Sequence, residues 1–376
     1  MKTDPDLLQL ATRFRQKSTQ LAGCNVVTGF DGFVDEMISV VAERHGLDRW
    51  TPVKDIGTFG DWIKAAAGRS SLREIIVHRT DPGGCAVNLG DGLIALGIGL
   101  ECFATLGQPR HAAFDDFAAL CRGCYSWGRL PGRTLAFEFE DGKLMFSAVK
   151  QLAEFDCDLL DKTLADGVYA AASTRARLIA LTDWSLYPHM TSCWRKLQKE
   201  VYSKLAHHPF FLIDLVDPSG RSAIDIRAMG ETLSGFESAG PTVLGLNGNE
   251  ANALARSLGL PTATEEPRAV EDQATVLREK LQISQVVIHC VKLAALADAN
   301  GTRGVWGPFC PSPKKSTGAG DRFNAGYCAG LLLGLEPAEC LQLGCASSGF
   351  FVRHARSASC HELGAFVEAW AHAKTD

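Results

Sequence analysis

The chain of 376 residues contains no apolar run approaching the ~18 residues that a membrane-spanning helix needs, its most apolar stretch being the short segment Leu331-Leu332-Leu333. A membrane partner is therefore not expected. Long blocks of like charge are also missing, and 38 basic against 43 acidic side chains leave a net charge of -5, which gives no electrostatic reason to bind nucleic acid. Cys121-Arg122-Gly123-Cys124 is a lone CxxC with no second pair or histidine pair beside it, so a thiol metal centre is not expected. The ten histidines include His207-His208 but no HExxH. Neither G-x-G-x-x-G after an early strand nor G-x-x-x-x-G-K-[ST] occurs, which argues against dinucleotide-binding oxidoreductases and P-loop enzymes. Internal repeats and low-complexity tracts are absent.

What is present is ample for a folded core: 46% of the residues are hydrophobic. Thirteen cysteines, an odd number scattered among apolar neighbours, fit buried thiols in a reducing compartment better than a disulfide framework. The polar opening Met1 to Asp6 leads into an amphipathic helix over Leu7 to Arg15 rather than the apolar core of a signal peptide. A cytoplasmic protein with a small-molecule partner is expected.

Apolar, β-branched runs at 25–29, 74–77, 100–105, 178–181, 210–215, 242–246 and 285–289 are mostly separated by segments of helical length. This alternation predicts an α/β fold, a doubly wound and mainly parallel sheet with helices on both faces. One region departs from it. Residues 134–140 and 143–149 alternate apolar with polar about Asp141-Gly142, a two-residue hairpin signal, which is either an edge hairpin of the main sheet or a flap over a ligand.

Four constellations carry chemistry. Ser316-Thr317-Gly318-Ala319-Gly320-Asp321 runs into a helix; its small residues and unpaired first-turn N–H groups form an anion hole. A carboxylate beside an anion hole needs another job, and Asp321 suits proton abstraction from an attacking hydroxyl, the arrangement of phosphoryl transfer. Asp31 and Asp35, in the loop after the first strand, are candidates to accept hydrogen bonds from substrate hydroxyls, or else form turns and caps. Gly83-Gly84 allows close backbone approach, and Asn88 one turn on can both donate and accept, which suits a vicinal diol. Asn247 and Glu250, three apart at a strand-to-helix junction, serve either as a reciprocal helix cap or as magnesium ligands through water.

In this order the four motifs resemble the ribokinase-like, or PfkB, family of carbohydrate and nucleoside kinases. Its D-T-x-G-A-G-D signature is matched at Thr317, Gly318, Ala319, Gly320 and Asp321, its GGxxxN element at Gly83, Gly84 and Asn88, and its NxxE element at Asn247 and Glu250. Asp35 corresponds to the family's early aspartate, its gap from Gly29 a residue longer than usual, which leaves Asp31 a competing assignment. The resemblance spans roughly residues 24 to 355. It implies a single kinase domain over 1–376 with a small β lid, the 128–150 hairpin being its main part and further lid strands falling within 36–82. It implies Asp321 as base, the 318–320 backbone as anion hole, and Gly83, Gly84, Asn88 and Asp35 or Asp31 against a sugar or polyol acceptor. Asn247 and Glu250 would organise Mg2+ and the phosphates, beside Thr317 and Lys315, with ATP, or ADP as in some relatives, as donor. Phe33 and Trp184 are candidate acceptor contacts, and the strand-rich lid offers an edge for a homodimer.

Three departures stand out. Lys315 occupies the position of a family aspartate that helps bind a monovalent cation, and an ammonium cannot ligate a metal ion. The family's T-x-G-x-x-G-A stretch beside the nucleotide phosphates reads His289-Cys290-Val291-Lys292-Leu293-Ala294-Ala295, with both glycines gone. Ala355-Arg356 replaces its late Gly-Ala. These changes at the donor end motivate alternatives to a sugar kinase using ATP: a nucleoside kinase, an ADP-dependent kinase, or a catalytically silent binding protein.

Overall fold

Successive residues of the central strands face opposite helical layers, which is what makes these strands continuous apolar runs. In the computed structural model, which describes residues 3–375, Leu178 and Ala180 of one strand enter one core and Ile179 and Leu181 the other. Met1 and Lys2 of the polar opening lie outside the described residues. Among the described residues no helix is long and apolar enough to cross a membrane, and all thirteen cysteines are free thiols.

The strands, in chain order, are β1 (Asn25–Gly29), β2 (Phe33–Arg44), β3 (Trp50–Pro52), β4 (Ile75–Gly83), β5 (Gly99–Ala104), β6 (Gly123–Ser126), β7 (Gly132–Phe139), β8 (Gly142–Ala148), β9 (Leu178–Thr182), β10 (Phe210–Asp214), β11 (Thr242–Asn247), β12 (Gln285–His289), β13 (Leu293–Asp298) and β14 (Gly301–Trp306). The main sheet runs β14-β13-β12-β11-β10-β9-β1-β5-β6. From β12 to β6 every neighbour is parallel, whereas β13 and β14 close one edge antiparallel. Strand order reverses at β1, which lies between β9 and β5. That is the switch point at which doubly wound sheets bind ligands beyond the strands' carboxyl ends.

A second sheet, β3-β2-β7-β8 with β4 on the other side of β2, stands apart from the first. The run at 74–77 belongs here as β4 and not to the parallel sheet. Ile75 and Val77 are exposed, and β4 pairs antiparallel with β2 through Asp35↔Asp81 and Phe33↔Gly83. The hairpin of β7 and β8 closes at Phe139↔Gly142, so its turn residues are Glu140 and Asp141, one place earlier than the Asp-Gly signal. The turn is docked: Glu140 N–H donates to Lys54 O at 2.7 Å, and Ile56 N–H to Asp141 Oδ1 at 3.0 Å.

Both sheets share a chain route. β2 leaves the carboxyl end of β1 after three residues, and β4 runs directly into Gly84 and the helix Cys85–Ala95. The small sheet is thus tied to the switch point at both ends.

Candidate active site

The helix Ala319–Leu332 begins at Gly318, whose φ of +88° is open to glycine and strained for other residues. Ala319 N–H donates back to Ser316 O at 3.0 Å and Arg322 N–H to Gly318 O at 3.2 Å, leaving the N–H groups of Gly320 and Asp321 without a backbone acceptor in the preceding turn. Asn88 comes from the other glycine motif: its Cγ lies 3.8 Å from the position a Cβ on Gly318 would take. The same motif places the Cys85 thiol near Asp321. The sequence-distant elements at 83–88 and 317–321 therefore form one site.

The two early aspartates part company here. Asp31 is buried; its carboxylate accepts from the N–H groups of Cys85 and Ala86, the latter at 2.9 Å, and from Thr182 Oγ1. It caps the helix Cys85–Ala95, and its three partners leave it little capacity for a ligand. Asp35 lies on the small sheet, half-buried, against Gly83, where a Cβ would collide with its carboxyl group. Desolvation raises its pKa, and the Thr134 hydroxyl and the cations Lys143 and Lys315 pull the other way. Lys315 sits between the two halves of the site. It feels Asp81, Lys143 and Arg79 of the small sheet and Arg322 of the turn, and burial lowers its pKa first of all.

Acidic groups crowd the carboxyl ends of the parallel strands. Asp183 follows β9, Asp214 ends β10, and both are buried. Asp214 accepts from Asn324 Nδ2 at 2.8 Å and from Val216 N–H at 3.0 Å. Asp183 and the β-branched Val216 adopt left-handed φ values of 57° and 59°, strain of the kind that collects at working sites. Burial pushes Asp321 up to about 7, and Asp214 and Asp31 add to the effect while Arg322 opposes it. Asp214 is raised to about 6, again chiefly by burial.

Asn247 and Glu250 do form a capping box. Asn247 Oδ1 accepts from the N–H groups of Asn249 and Glu250, each at 2.9 Å, and Glu250 Oε2 accepts from Asn247 N–H at 2.8 Å. Burial, with Asp214, Asp217 and Asp321 nearby, raises Glu250 to about 8. Among the described residues no three Cys, His, Asp or Glu side chains converge in a direct metal-binding cluster.

On the far side of the turn lies a cavity of about 430 Å3 bordered by Asn247, His289, Lys292, Phe309, Gly320 and Phe323. Of the altered 289–295 stretch, His289 ends β12, Cys290, Val291 and Lys292 form the turn, and 293–295 open β13. Val291 there is 72% exposed and lies at the open rim of that cavity, beside Cys290 and Lys292. Burial lowers His289 to about 4, which keeps its ring neutral beside Gly320. Trp184 is not an acceptor contact: it is fully buried, its indole N–H donates to Thr191 Oγ1 at 2.8 Å, and Arg221 stacks on its ring.

Sequence reading passed over Asp183, Asp214, Asn324 and Arg322. Asp214 carried a usable signal, as a carboxylate ending an apolar strand at the edge where ligands bind.

Residues 8–370 match the family model of the prokaryotic ketohexokinases. The chain belongs to the prokaryotic ketohexokinase family. The ketohexokinase of Haloferax volcanii is 30% identical over 354 residues, covering 93% of this chain and 92% of that protein. Among solved structures, the ribokinase of Thermotoga maritima superposes with a TM-score of 0.62 at 17% identity, covering 92% of this chain and 99% of its own. A nucleoside kinase of Burkholderia thailandensis in complex with inosine also gives 0.62, at 15% identity and 92% and 97% coverage. These two establish the ribokinase-like fold. Membership of the ketohexokinase family makes the protein a sugar phosphotransferase, a carbohydrate kinase built on that fold.

Proposed function

We infer that the protein transfers the terminal phosphoryl group of ATP to a hydroxyl of a ketohexose. The observation that carries this reading is the meeting of Asp321, the Gly318 turn, Asn88 and Asp35 between a nucleotide-sized cavity and a strand-built cover. The family and the Haloferax relative supply the substrate class.

Asp321 accepts the proton of the attacking hydroxyl; a base whose pKa lies near neutrality is matched to that task. The free N–H groups and positive dipole of the helix Ala319–Leu332 stabilise the negative charge on the phosphoryl oxygens. Asp35, Gly83, Gly84 and Asn88 hold and orient the sugar, and the small sheet lies over it to exclude water. Asp31 acts behind them by fixing the glycine turn.

Magnesium suits the residues present. The capping box occupies Asn247 Oδ1 and Glu250 Oε2 but not Glu250 Oε1, and Asp214, Asp217 and Asp321 add negative charge nearby, a setting for a hydrated cation held through water. When bound, such an ion neutralises charge on the donor phosphates. Thr317 flanks that phosphate region, and Lys315 supplies, as a fixed ammonium, the charge that a monovalent cation would provide.

The test is a phosphate-transfer screen of ketohexoses, aldohexoses and nucleosides, each with ATP and with ADP. Turnover confined to ketohexoses with ATP is expected. Preference for a nucleoside, or for ADP, overturns that part of the reading.

A further inference from the structure

Arg322 directly follows the base and is 6% exposed. Side chains of a helix lean towards its N-terminus and meet those four residues earlier, so its Nη1 lies 2.9 Å from where a Cβ on Gly318 would stand. The rest of the guanidinium is pinned. Nε donates to Ser357 Oγ at 3.1 Å and Nη2 to Asp91 Oδ2 at 2.7 Å, while Ser357 Oγ donates to the same Asp91 oxygen at 2.6 Å. The face of Phe351 supports it, 4.5 Å from the guanidinium carbon to the ring centroid.

Nη1 alone has no hydrogen-bond partner in the protein, yet it is not sealed in. Among the described residues the fully buried side-chain nitrogens and oxygens that lack a partner are Trp194 Nε1 and Thr28 Oγ1, so Nη1 is not fully buried, and it lies against Gly318. Its position also runs against the helix dipole, since the amino end of a helix favours anions and repels cations. Asp91 offsets one positive charge. The guanidinium and the dipole together become favourable when an anion arrives at the turn.

We propose that Arg322 is a built-in cation of the anion hole, donating from Nη1 to the phosphoryl group during transfer, with Asp91 and Ser357 as positioning residues that aim it. This extends the backbone anion hole by a side chain on the helix itself. Arg322 relieves the charge that spreads over the phosphoryl oxygens as the bond to the donor breaks and the bond to the acceptor oxygen forms. The guanidinium changes neither covalent state nor protonation. The proposal rests on the kinase reading above.

Steady-state kinetics of Arg322→Met beside the wild type, with ATP and a ketohexose, test it. A loss of roughly 10²–10³-fold in kcat is expected, the scale of deleting one oxyanion donor, with the acceptor KM held within about twofold. Added guanidinium ion should restore part of the rate. Arg322→Gln keeps partners for Asp91 and Ser357 and gives the same reading with less disturbance of the fold. A folded variant whose kcat stays within about threefold of wild type overturns the proposal. So does a variant with a lowered melting temperature, a raised acceptor KM and no guanidinium rescue, the pattern of a brace alone. Wild-type protein inert towards every sugar sinks the kinase reading itself, whereas an active wild type with an unimpaired variant sinks only the role of Arg322.

Discussion

Gly83 and Asp35 are fitted to each other: the carboxylate rests where any Cβ at position 83 would be, across the antiparallel pairing of β2 with β4. The bare Cα lets an acid stand at the rim of the site, while four residues earlier Asp31 spends its hydrogen-bonding capacity on the helix Cys85–Ala95. The two aspartates should therefore fail differently. Asp35→Asn is expected to raise the acceptor KM by ~10–100-fold, the worth of a charge-assisted hydrogen bond, with the melting temperature unchanged. Asp31→Ala should instead cost about 1–3 kcal/mol of stability, from a lost cap and orphaned buried donors. Thermal melts paired with acceptor titrations separate them, and a stable Asp31→Ala with a raised KM would reverse the assignment.

Asp321→Asn removes the proton acceptor but keeps the volume and the turn. Turnover should fall by about 10²–10⁴-fold while sugar binding, followed by calorimetry, survives. Full activity in this variant is incompatible with Asp321 as base.

The raised acids set a pH dependence of both rate and stability. Asp321 must be ionised to accept a proton, so kcat should decline as pH drops below about 7. Stability runs the other way. Asp321, Asp214 and Glu250 hold protons in the folded state to about 7, 6 and 8, against ordinary values of 3.8, 3.8 and 4.5. The folded chain thus binds more protons than the unfolded one above about pH 4, and the contribution, complete below that point, is lost as pH rises through the folded values. The metal-free melting temperature should fall between pH 5 and 8, and magnesium should recover most at the alkaline end. A melting temperature that climbs across this range would contradict the carboxylate crowding.

Lys315 leads to a third kind of experiment. Its Nζ lies 5.8 Å from the centroid of Phe351 among Arg322, Asp81, Lys143 and Arg79, with the charge already in place. Exchanging potassium for a bulky organic cation should leave activity unaltered. Strong activation by potassium would show that the ammonium does not replace the ion.

Much of the main sheet could be read from the chain because β1, β9, β10, β11 and β12 are apolar on both faces and lie between turn signals, so each announces itself locally. β13 did not: Leu293-Ala294-Ala295-Leu296-Ala297 is rich in alanine, a weak strand former, and becomes a strand through pairing with β12 and β14. β4 announced a strand but not its sheet, since its partner β2 is determined by a contact some 40 residues away in the chain. The site shows the same division. Asp321, Asn88 and Asn247 sit in motifs whose glycines and spacings are visible. Asp183, Asp214 and Arg322 acquire their roles from neighbours that only folding supplies, such as Asn324 for Asp214 and Ser357 for Arg322.

The chain passes from β1 to β2 through three residues and from β4 to the helix Cys85–Ala95 through Gly84 alone. Asp35 is carried on the small sheet, while Asp31 lies in the loop after β1 and Asp321 in the helix Ala319–Leu332. On the proposed function, a hexose held by Asp35 on one side and Asp321 on the other would tie the two sheets together, and water, too small to span both carboxylates, would not.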